Sequence, residues 1–197
     1  MNTLVVGLAG YARSGKDTAA LALIEDGFER RAFADKLRDF LYRLNPSISG
    51  SLWSLAEIVD AVGWEQAKAE TPEIRALLQR CGTDAGRKVL GENVWVDATM
   101  RDLPALTVIT DVRFPNEVAA IRERGGVVLR IVREGVGAFR QESGETHESE
   151  TALDSTRFDA TIHNNGTMAD LYREVRWNKK LLFHFPDTTL AAPNVLL

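Results

Sequence analysis

Residues 3–18, TLVVGLAGYARSGKDT, form the stretch of this sequence whose residue types and spacing have the clearest chemical meaning. Gly10, four intervening residues, Gly15 and Lys16 have the spacing of a phosphate-binding loop. Glycines let successive backbone N–H groups converge on one concavity that attracts anions, and the lysine can reach the β- and γ-phosphates of a nucleotide. The spacing therefore predicts a binding site for the phosphates of a nucleotide.

The residue after Lys16 departs from the strict pattern, which requires Ser or Thr at that position. Asp17 stands there, and the hydroxyl follows one residue later, at Thr18. A carboxylate beside a triphosphate is repelled unless a cation lies between them, and Mg²⁺ prefers oxygen ligands. Two roles are open for Asp17: a direct or water-mediated Mg²⁺ contact, for which Thr18 is the alternative, or a charge that complements the positive end of its own helix.

Short apolar runs alternate with helical patterns along the chain, and this alternation predicts an α/β fold with a mostly parallel five-stranded central sheet flanked by helices. The first run directly precedes the glycine-rich loop, and a helix-forming run follows it, which is the context that a phosphate loop requires. The five expected strands are residues 3–9, 28–33, 106–110, 127–132 and 158–163.

Charged residues open the helix that follows the second expected strand. Asp35, Lys36 and Arg38 would lie at the carboxyl edge of the sheet, where open α/β sheets bind ligands. A solvated helix start explains the same residues equally well.

A later helical pattern places Arg80, Thr83 and Arg87 on one stripe, at spacings i, i+3 and i+7. Guanidinium groups match phosphate oxygens, so this stripe could clamp a phosphate, although a plain exposed face would look the same. Gly82 and Gly86 are unfavourable inside a helix, and close approach of a ligand or of backbone would explain them.

The strand over 106–110 ends in Asp111, and Arg113 follows two residues later. A carboxylate at the end of a buried strand often holds Mg²⁺ or its waters in phosphoryl-transfer enzymes, but Asp also follows strands in ordinary turns. Arg113 could reach the same phosphates.

Residues 133–150 form a polar, glycine-containing segment that we call the lid segment. Long loops in compact domains are often functional, and a lid that carries Arg133 and Arg140 would exclude water and stabilise transferring charge. His147 with its acidic neighbours does not make a convincing zinc site, because the chain has three histidines and one cysteine.

Composition indicates one ordinary globular domain over residues 1–197. The net charge of −4 argues against a broad nucleic-acid surface, and the single cysteine, Cys81, excludes an intrachain disulfide. We find no leader-like segment and no apolar stretch of membrane-spanning length, so we expect a cytoplasmic protein that acts on small molecules, without nucleic-acid or membrane partners.

Five stretches together make the sequence resemble the deoxynucleoside monophosphate kinases of tailed bacteriophages, a branch of the P-loop nucleoside monophosphate kinases. The stretches are GLAGYARSGKDT, LLQRCGTDAGRKVLGENVW, DVRFPNE, THESET and IHNNGT, and they span residues 7–167. The resemblance implies a three-layer P-loop kinase fold with a helical acceptor-binding region over about 35–100 and a lid over about 133–150. It also implies transfer of the γ-phosphoryl group of ATP to a deoxynucleoside monophosphate, and, for a phage protein, action in the cytoplasm of the host cell.

Asp17, Thr18 and Asp111 are the expected ligands of Mg²⁺. The same resemblance assigns expected roles to further residues. The ATP site would comprise Gly10, Ala12, Arg13, Ser14, Gly15, Lys16, Asp17 and Thr18, with the turn Asn165, Gly166 and Thr167 against adenine. The acceptor would contact Asp35, Lys36, Arg38, Gln79, Arg80, Thr83, Arg87 and Asp111. The catalytic residues would be Lys16, Arg113, Arg133 and Arg140.

Other functions remain open at this stage. A related kinase could phosphorylate another small acceptor, such as dephospho-coenzyme A or phosphomevalonate. A nucleotide-dependent switch would need a residue that orients a nucleophilic water, and no Gln or Glu is clearly placed for that. A catalytically inactive binding module conflicts with the intact Lys16 and Asp111. A homodimer is possible, but no stretch of the sequence demands one.

Overall fold

The computed structural model describes residues 3–137 and 151–183. Its central sheet has five strands, all parallel, in the spatial order β2-β3-β1-β4-β5. The strands are Leu4–Ala9 (β1), Glu29–Arg31 (β2), Leu106–Val112 (β3), Val127–Val132 (β4) and Ala160–His163 (β5). The predicted five-stranded parallel α/β sheet is confirmed.

In the described residues the chain also forms seven α-helices and one π-helix. The α-helices are Lys16–Glu25 (α1), Phe33–Leu44 (α2), Leu55–Glu70 (α3), Pro72–Gln79 (α4), Val94–Met100 (α5), Pro115–Glu123 (α6) and Met168–Phe183 (α7). The chain from Arg80 to Leu90 is a π-helix that continues α4 directly.

Alternate side chains of β1 enter two different cores, which produces three layers. Val6 and Leu8 are fully buried in a cluster with residues of α1 and α7. Val5 and Ala9 point to the opposite face, into a cluster with residues of α5 and α6. A strand buried on both faces reads as a continuous apolar run, which is the pattern that its sequence shows.

A third apolar cluster lies among helices α2, α3 and α4, away from the sheet. Its buried members are Leu37, Leu41, Ile48, Leu55, Val59, Ala67, Ile74 and Leu77. Helix α3 is kinked at Gly63, whose φ of 76° is outside the helical range. These helices form a separate platform beside the carboxyl edge of the sheet.

The π-helix differs from the α-helical stripe that the sequence predicted for Arg80, Thr83 and Arg87. Hydrogen bonds that span five residues instead of four change the angle between successive side chains, so spacings of i, i+3 and i+7 no longer align. Trp95 packs against the π-helix, and its indole N–H donates to the Gly82 carbonyl at 2.9 Å. A Cβ at Gly86 would lie 2.6 Å from the Cys81 carbonyl oxygen and 2.7 Å from the Trp95 Nε1 atom, so close approach of backbone and of a side chain explains that glycine.

The strand register brings two loops together at the carboxyl edge of the sheet. Ala9 at the end of β1 pairs with Val112 on β3 and with Arg130 on β4. Gly10 directly follows β1 and Arg113 directly follows β3, so the loops that begin at these two residues are adjacent. In the part of the chain that the structure describes, we find no helix with the length and apolarity needed to cross a membrane.

Candidate active site

The loop between β1 and α1 has the curled backbone that its glycines predicted. Gly10 and Gly15 have φ values of 136° and 101°, and Arg13 adopts the left-handed conformation with φ of 65°. The Lys16 ammonium group donates to the carbonyl oxygens of Gly10 and Tyr11, both at 2.8 Å. The lysine thus spans its own loop, as expected of a group that faces bound phosphates.

The loop is tightly packed where it leaves the strand, and it contains one buried polar group that lacks a partner in the described part of the chain. A Cβ at Gly10 would lie 2.3 Å from the Ile131 carbonyl oxygen, so only glycine allows the loop to leave the strand at this angle. The Ser14 hydroxyl is buried, and within the described residues it has no hydrogen-bond partner. A buried hydroxyl of this kind needs a partner, and a phosphate oxygen can supply one.

A cavity of about 320 Å³ opens between the helical platform and the ends of β3 and α6. Six of the residues that the sequence predicted for the site line it: Arg38, Gln79, Thr83, Arg87, Asp111 and Arg113. Ten further lining residues were not among the predicted site residues: Phe33, Ala34, Leu37, Lys68, Arg75, Leu78, Gly82, Trp95, Phe114 and Glu117. We call this space the acceptor cavity.

Three predicted acceptor residues lie outside the lining of the acceptor cavity. Asp35 accepts a hydrogen bond from the Ala32 N–H at 2.7 Å, so its carboxylate caps helix α2. Lys36 and Arg80 are exposed. For Arg80 the reason is the π-helical geometry, which places Gln79, Thr83 and Arg87 on the cavity wall instead.

Positive charge dominates the acceptor cavity. Arg38, Lys68, Arg75, Arg87 and Arg113 line it, against two carboxylates. Arg38 forms an ion pair with Glu65 at 3.0 Å, but Glu65 is exposed. An excess of guanidinium and ammonium groups around this open cavity suits a ligand that carries a phosphate.

Asp111 is one of the two carboxylates, and it binds backbone N–H groups of helix α2. One oxygen accepts the Phe33 N–H at 2.8 Å and the other accepts the Ala34 N–H at 3.0 Å. Burial raises the pKa of Asp111, and the two N–H groups oppose this shift. Asp111 therefore attaches the start of α2 to the end of β3.

Glu117 is the second carboxylate, and only 2% of this residue is exposed. Its carboxylate accepts the N–H groups of Arg113 at 2.7 Å and Phe114 at 3.0 Å, which closes the first turn of α6. Its other oxygen pairs with Arg87 at 2.9 Å. Burial raises the pKa of Glu117 to about 7, because desolvation outweighs these favourable contacts and nearby Asp111 adds repulsion.

A smaller cavity of about 30 Å³ lies beside the phosphate loop. Gly10, Arg113 and Arg130 are among the residues that line it. Arg113 thus contributes to both cavities, one beside the phosphate loop and one beside the platform. Tyr11 and Asp154 close the smaller cavity, joined by a hydrogen bond of 2.7 Å from the Tyr11 hydroxyl.

The predicted adenine-binding turn follows β5. The Asn165 side-chain oxygen accepts the Glu134 N–H at 2.8 Å, which connects the turn to the start of the lid segment. Thr167 and Asp170 exchange hydrogen bonds that cap α7, and these bonds lower the pKa of Asp170. Asn164, which precedes the turn and which the sequence analysis did not single out, donates to the Ser14 carbonyl at 2.9 Å.

The other predicted groups have simpler surroundings. Arg133 is exposed, and Arg140 lies outside the described residues, as does most of the lid segment. Asp17 is exposed in the first turn of α1, and Thr18 beside it is half-buried. Among residues 3–137 and 151–183, no group of three His, Cys, Asp or Glu side chains is arranged to hold a metal ion.

Comparisons with known proteins identify the family. A family model described as deoxynucleotide monophosphate kinase matches residues 51–175. A putative deoxynucleotide monophosphate kinase of Acanthamoeba polyphaga mimivirus is 32% identical over 196 residues, which cover 87% of this chain and 94% of that protein. The deoxynucleoside-5'-monophosphate kinase of Escherichia phage T5 is 43% identical over 53 residues, 25% of this chain and 21% of its own length.

Among solved structures, dephospho-CoA kinase from Campylobacter jejuni aligns with 90% of this chain and 96% of its own, at 19% identity and a TM-score of 0.41. The family assignment rests on the sequence comparisons. The family model matches well over half of the chain, and the mimivirus relative is matched over nearly its whole length. This chain belongs to the deoxynucleotide monophosphate kinase family.

Proposed function

We propose that this protein transfers the γ-phosphoryl group of ATP to a deoxynucleoside 5'-monophosphate, giving ADP and the deoxynucleoside diphosphate. The observation that carries the proposal is the position of Arg113, which lines both the small cavity at the phosphate loop and the larger cationic acceptor cavity. A cation between two phosphate sites is what in-line transfer between them requires. The names of the family and of its viral relatives support the choice of acceptor.

In this reaction an oxygen of the acceptor's phosphate bonds to the γ-phosphorus while the bond from that phosphorus to the β,γ-bridging oxygen breaks. The acceptor oxygen is already ionised at neutral pH, so no general base is needed. The chain's contribution is to position the two phosphates and to stabilise the developing charge. Lys16 would exchange its loop carbonyls for phosphate oxygens, and Arg113 would stabilise the transferring group.

Asp17 and Thr18 are the groups that we assign to Mg²⁺. Bound with ATP, Mg²⁺ supplies charge neutralisation on the β- and γ-phosphates. The exposed Asp17 carboxylate and the adjacent Thr18 hydroxyl supply the oxygen ligands that the ion prefers. For Asp111 we favour a positioning role over metal binding, because both of its oxygens already accept N–H groups of α2.

The acceptor would enter with its phosphate toward the arginines of the cavity and its base toward the apolar wall. Arg38, Arg75 and Arg87 provide the phosphate contacts in this proposal. Trp95 and Leu78 lie in the same lining and supply apolar surface for a base. Gln79 and Thr83 add hydrogen-bonding groups that can fix the orientation of the nucleotide.

The remaining assignments extend the same proposal. Asn165, Gly166 and Thr167 would contact adenine, and Arg133 with Arg140 would act from the lid segment. We place the protein in the cytoplasm with small molecules as its partners. A homodimer stays a prediction.

A coupled ADP-release assay tests the proposal. ATP and Mg²⁺ would be supplied with each of dAMP, dCMP, dGMP, dTMP and 5-hydroxymethyl-dCMP, with the four ribonucleotides, and without acceptor. We expect ADP release that depends on at least one deoxynucleotide. Equal release without acceptor would instead indicate an NTPase, and release only with other phosphorylated metabolites would contradict the choice of acceptor.

A further inference from the structure

We propose that Asn164 is a positioning residue for the phosphate loop, and that its side-chain amide holds the Ser14–Gly15 peptide in the orientation that binds the phosphates of ATP. The inference rests on the proposed function in one respect only, namely that this loop holds the nucleotide. Asn164 lies outside the loop, in the segment after β5, and acts on the ligand through backbone.

The contact joins residues that are 150 positions apart. The Asn164 Nδ2 atom donates to the Ser14 carbonyl oxygen at 2.9 Å, in partly buried surroundings. The Asn164 backbone is fixed as well, because its N–H donates to the Val132 carbonyl at 2.7 Å, at the end of β4. The backbone that carries the amide is therefore held by the sheet, independently of the loop.

The space around Gly15 shows how closely the amide fits. A Cβ at Gly15 would lie 2.2 Å from the Asn164 Nδ2 atom. Gly15 also has a φ of 101°, which other residues adopt only with strain. Glycine at position 15 thus leaves space for the Asn164 amide and also permits the positive φ of the turn.

The planarity of the peptide bond connects this contact to the ligand. The Ser14 carbonyl and the Gly15 N–H belong to one trans peptide unit, so they point in opposite directions. With the carbonyl held by Asn164, the Gly15 N–H points away from Asn164, and we infer that it faces the phosphates. Amide groups at a helix N-terminus bind anions only when their N–H vectors converge, so loss of the asparagine would disperse one of them.

The test compares two substitutions at Asn164 with the same two at Asn178. Asn164→Ala removes the amide, and Asn164→Asp keeps its size but replaces the donor by an acceptor. Asn178 also donates from its amide to a backbone carbonyl, that of Glu174 at 2.8 Å, but this hydrogen bond is exposed and lies within α7. Asn178→Ala and Asn178→Asp therefore control for the loss of a comparable hydrogen bond.

The primary readout is the Kd of ATP with Mg²⁺, measured calorimetrically without acceptor, followed by the KM values of both substrates and by Tm. We expect both Asn164 variants to raise the Kd and KM for ATP at least tenfold, with the KM of the acceptor within twofold of wild type. The Asn178 variants should leave all three constants within twofold. A lower Tm with an unchanged Kd for ATP would overturn the proposal, because the amide would then be merely structural.

A measurement on the unmodified protein covers the case in which both Asn164 variants fail to fold. In a ¹⁵N-labelled sample, the Asn164 side-chain NH₂ resonances should shift when ATP is added and should not shift with a deoxynucleoside monophosphate alone. Unchanged chemical shifts of this NH₂ group on addition of ATP would contradict the proposal. If the protein binds ATP through Asn164 but transfers nothing to any deoxynucleotide, the proposed function fails and this inference stands.

Discussion

The Arg87 guanidinium pairs with the buried Glu117 carboxylate at 2.9 Å and stacks on Phe114, with its central carbon 4.0 Å from the ring centroid. The pair connects the π-helix to α6 across the wall of the acceptor cavity. A guanidinium held between a ring and a carboxylate has a fixed direction and still has unused N–H donors for a phosphate. The cavity thus presents the Arg87 guanidinium in a preorganised position.

Folding stability should depend on pH through Glu117. Its pKa is raised in the folded protein to about 7, so the folded state binds this proton more tightly than the unfolded state does. The resulting stability is present below the unfolded pKa and is lost as pH rises through about 7. The loss is about 3.5 kcal/mol at most, because the pKa rises from an ordinary value of 4.5 to about 7 and each pKa unit corresponds to about 1.4 kcal/mol.

Urea unfolding of wild type and Glu117→Gln at pH 5.5, 6.5 and 8 checks this prediction. The free energy of unfolding of wild type should fall over this interval, and the variant should show a smaller fall. Glu123→Gln, at an exposed position of the same helix, should retain the wild-type slope. Equal slopes for all three proteins would mean that Glu117 does not titrate in this range.

Arg87→Lys should weaken use of the acceptor without affecting ATP. Lysine keeps the charge but loses the planar fork and the stacking on Phe114, so kcat/KM for the deoxynucleotide should fall about tenfold, a loss of roughly 1.4 kcal/mol. The KM for ATP should stay within twofold. The reverse change Lys88→Arg, at the exposed neighbour, is the control and should leave both constants near wild type.

The same steady-state assay distinguishes the π-helix from the α-helical stripe. Arg80→Lys should have a smaller effect than Arg87→Lys, because Arg80 is exposed and does not line the cavity. Equal losses at the two arginines would show that both contact the acceptor, as the sequence spacing had suggested.

Asp111→Asn should act through helix α2. The amide has one acceptor oxygen where the carboxylate has two, so only one of the Phe33 and Ala34 N–H groups keeps its acceptor. The negative charge at the helix N-terminus also disappears, so we expect a loss of about 1–2 kcal/mol of stability. Because α2 carries Leu37 and Arg38 into the cavity, the KM of the acceptor should rise severalfold.

A Mg²⁺ titration at fixed ATP shows which role of Asp111 is correct. A positioning residue leaves the half-saturating Mg²⁺ concentration unchanged in Asp111→Asn, whereas loss of a metal ligand raises it. Asp102→Asn, on an exposed loop, controls for the change of charge.

Lys16→Met should nearly abolish turnover while the fold persists. The ammonium group binds two loop carbonyls in a partly buried place, so its loss should cost only about 1–2 kcal/mol of stability. Removal of a preorganised cation from the transfer site should lower kcat by roughly a hundredfold or more. Circular dichroism and a coupled assay, with Lys88→Met as the control, measure the two effects; wild-type turnover would exclude the phosphate loop from the mechanism.

Local pattern was sufficient for the phosphate loop and the sheet. The loop follows β1 directly, and the residues that it requires, Gly10, Gly15 and Lys16, lie within seven positions of one another. Strands β1, β3 and β4 were visible because burial on both faces makes each one a mostly apolar run. Strands β2 and β5 lack this pattern, since β2 has no buried residue and β5 has one. The family resemblance found in the sequence was confirmed by the comparisons.

The walls of the site depended on information that no local pattern contains. An α-helical period groups Arg80 with Arg87. The segment is instead a π-helix, in which Trp95 packs against Gly82 and Gly86. Glu117 stands at a helix-capping position in the sequence, but its burial depends on how α6 meets the π-helix. Tyr11 and Asp154 lie 143 positions apart, and only the fold brings them together.

Transfer of label from [γ-³²P]ATP is the most direct test of the central claim, that the phosphate loop and the acceptor cavity form one phosphoryl-transfer site. Products would be separated after incubation of wild type, Lys16→Met and Arg87→Lys with dNMP and Mg²⁺. The account predicts label in the deoxynucleoside diphosphate in a 1:1 ratio to ADP, with severe loss in Lys16→Met and an acceptor-specific loss in Arg87→Lys. Label only in inorganic phosphate, at a rate that the acceptor does not change, would contradict it.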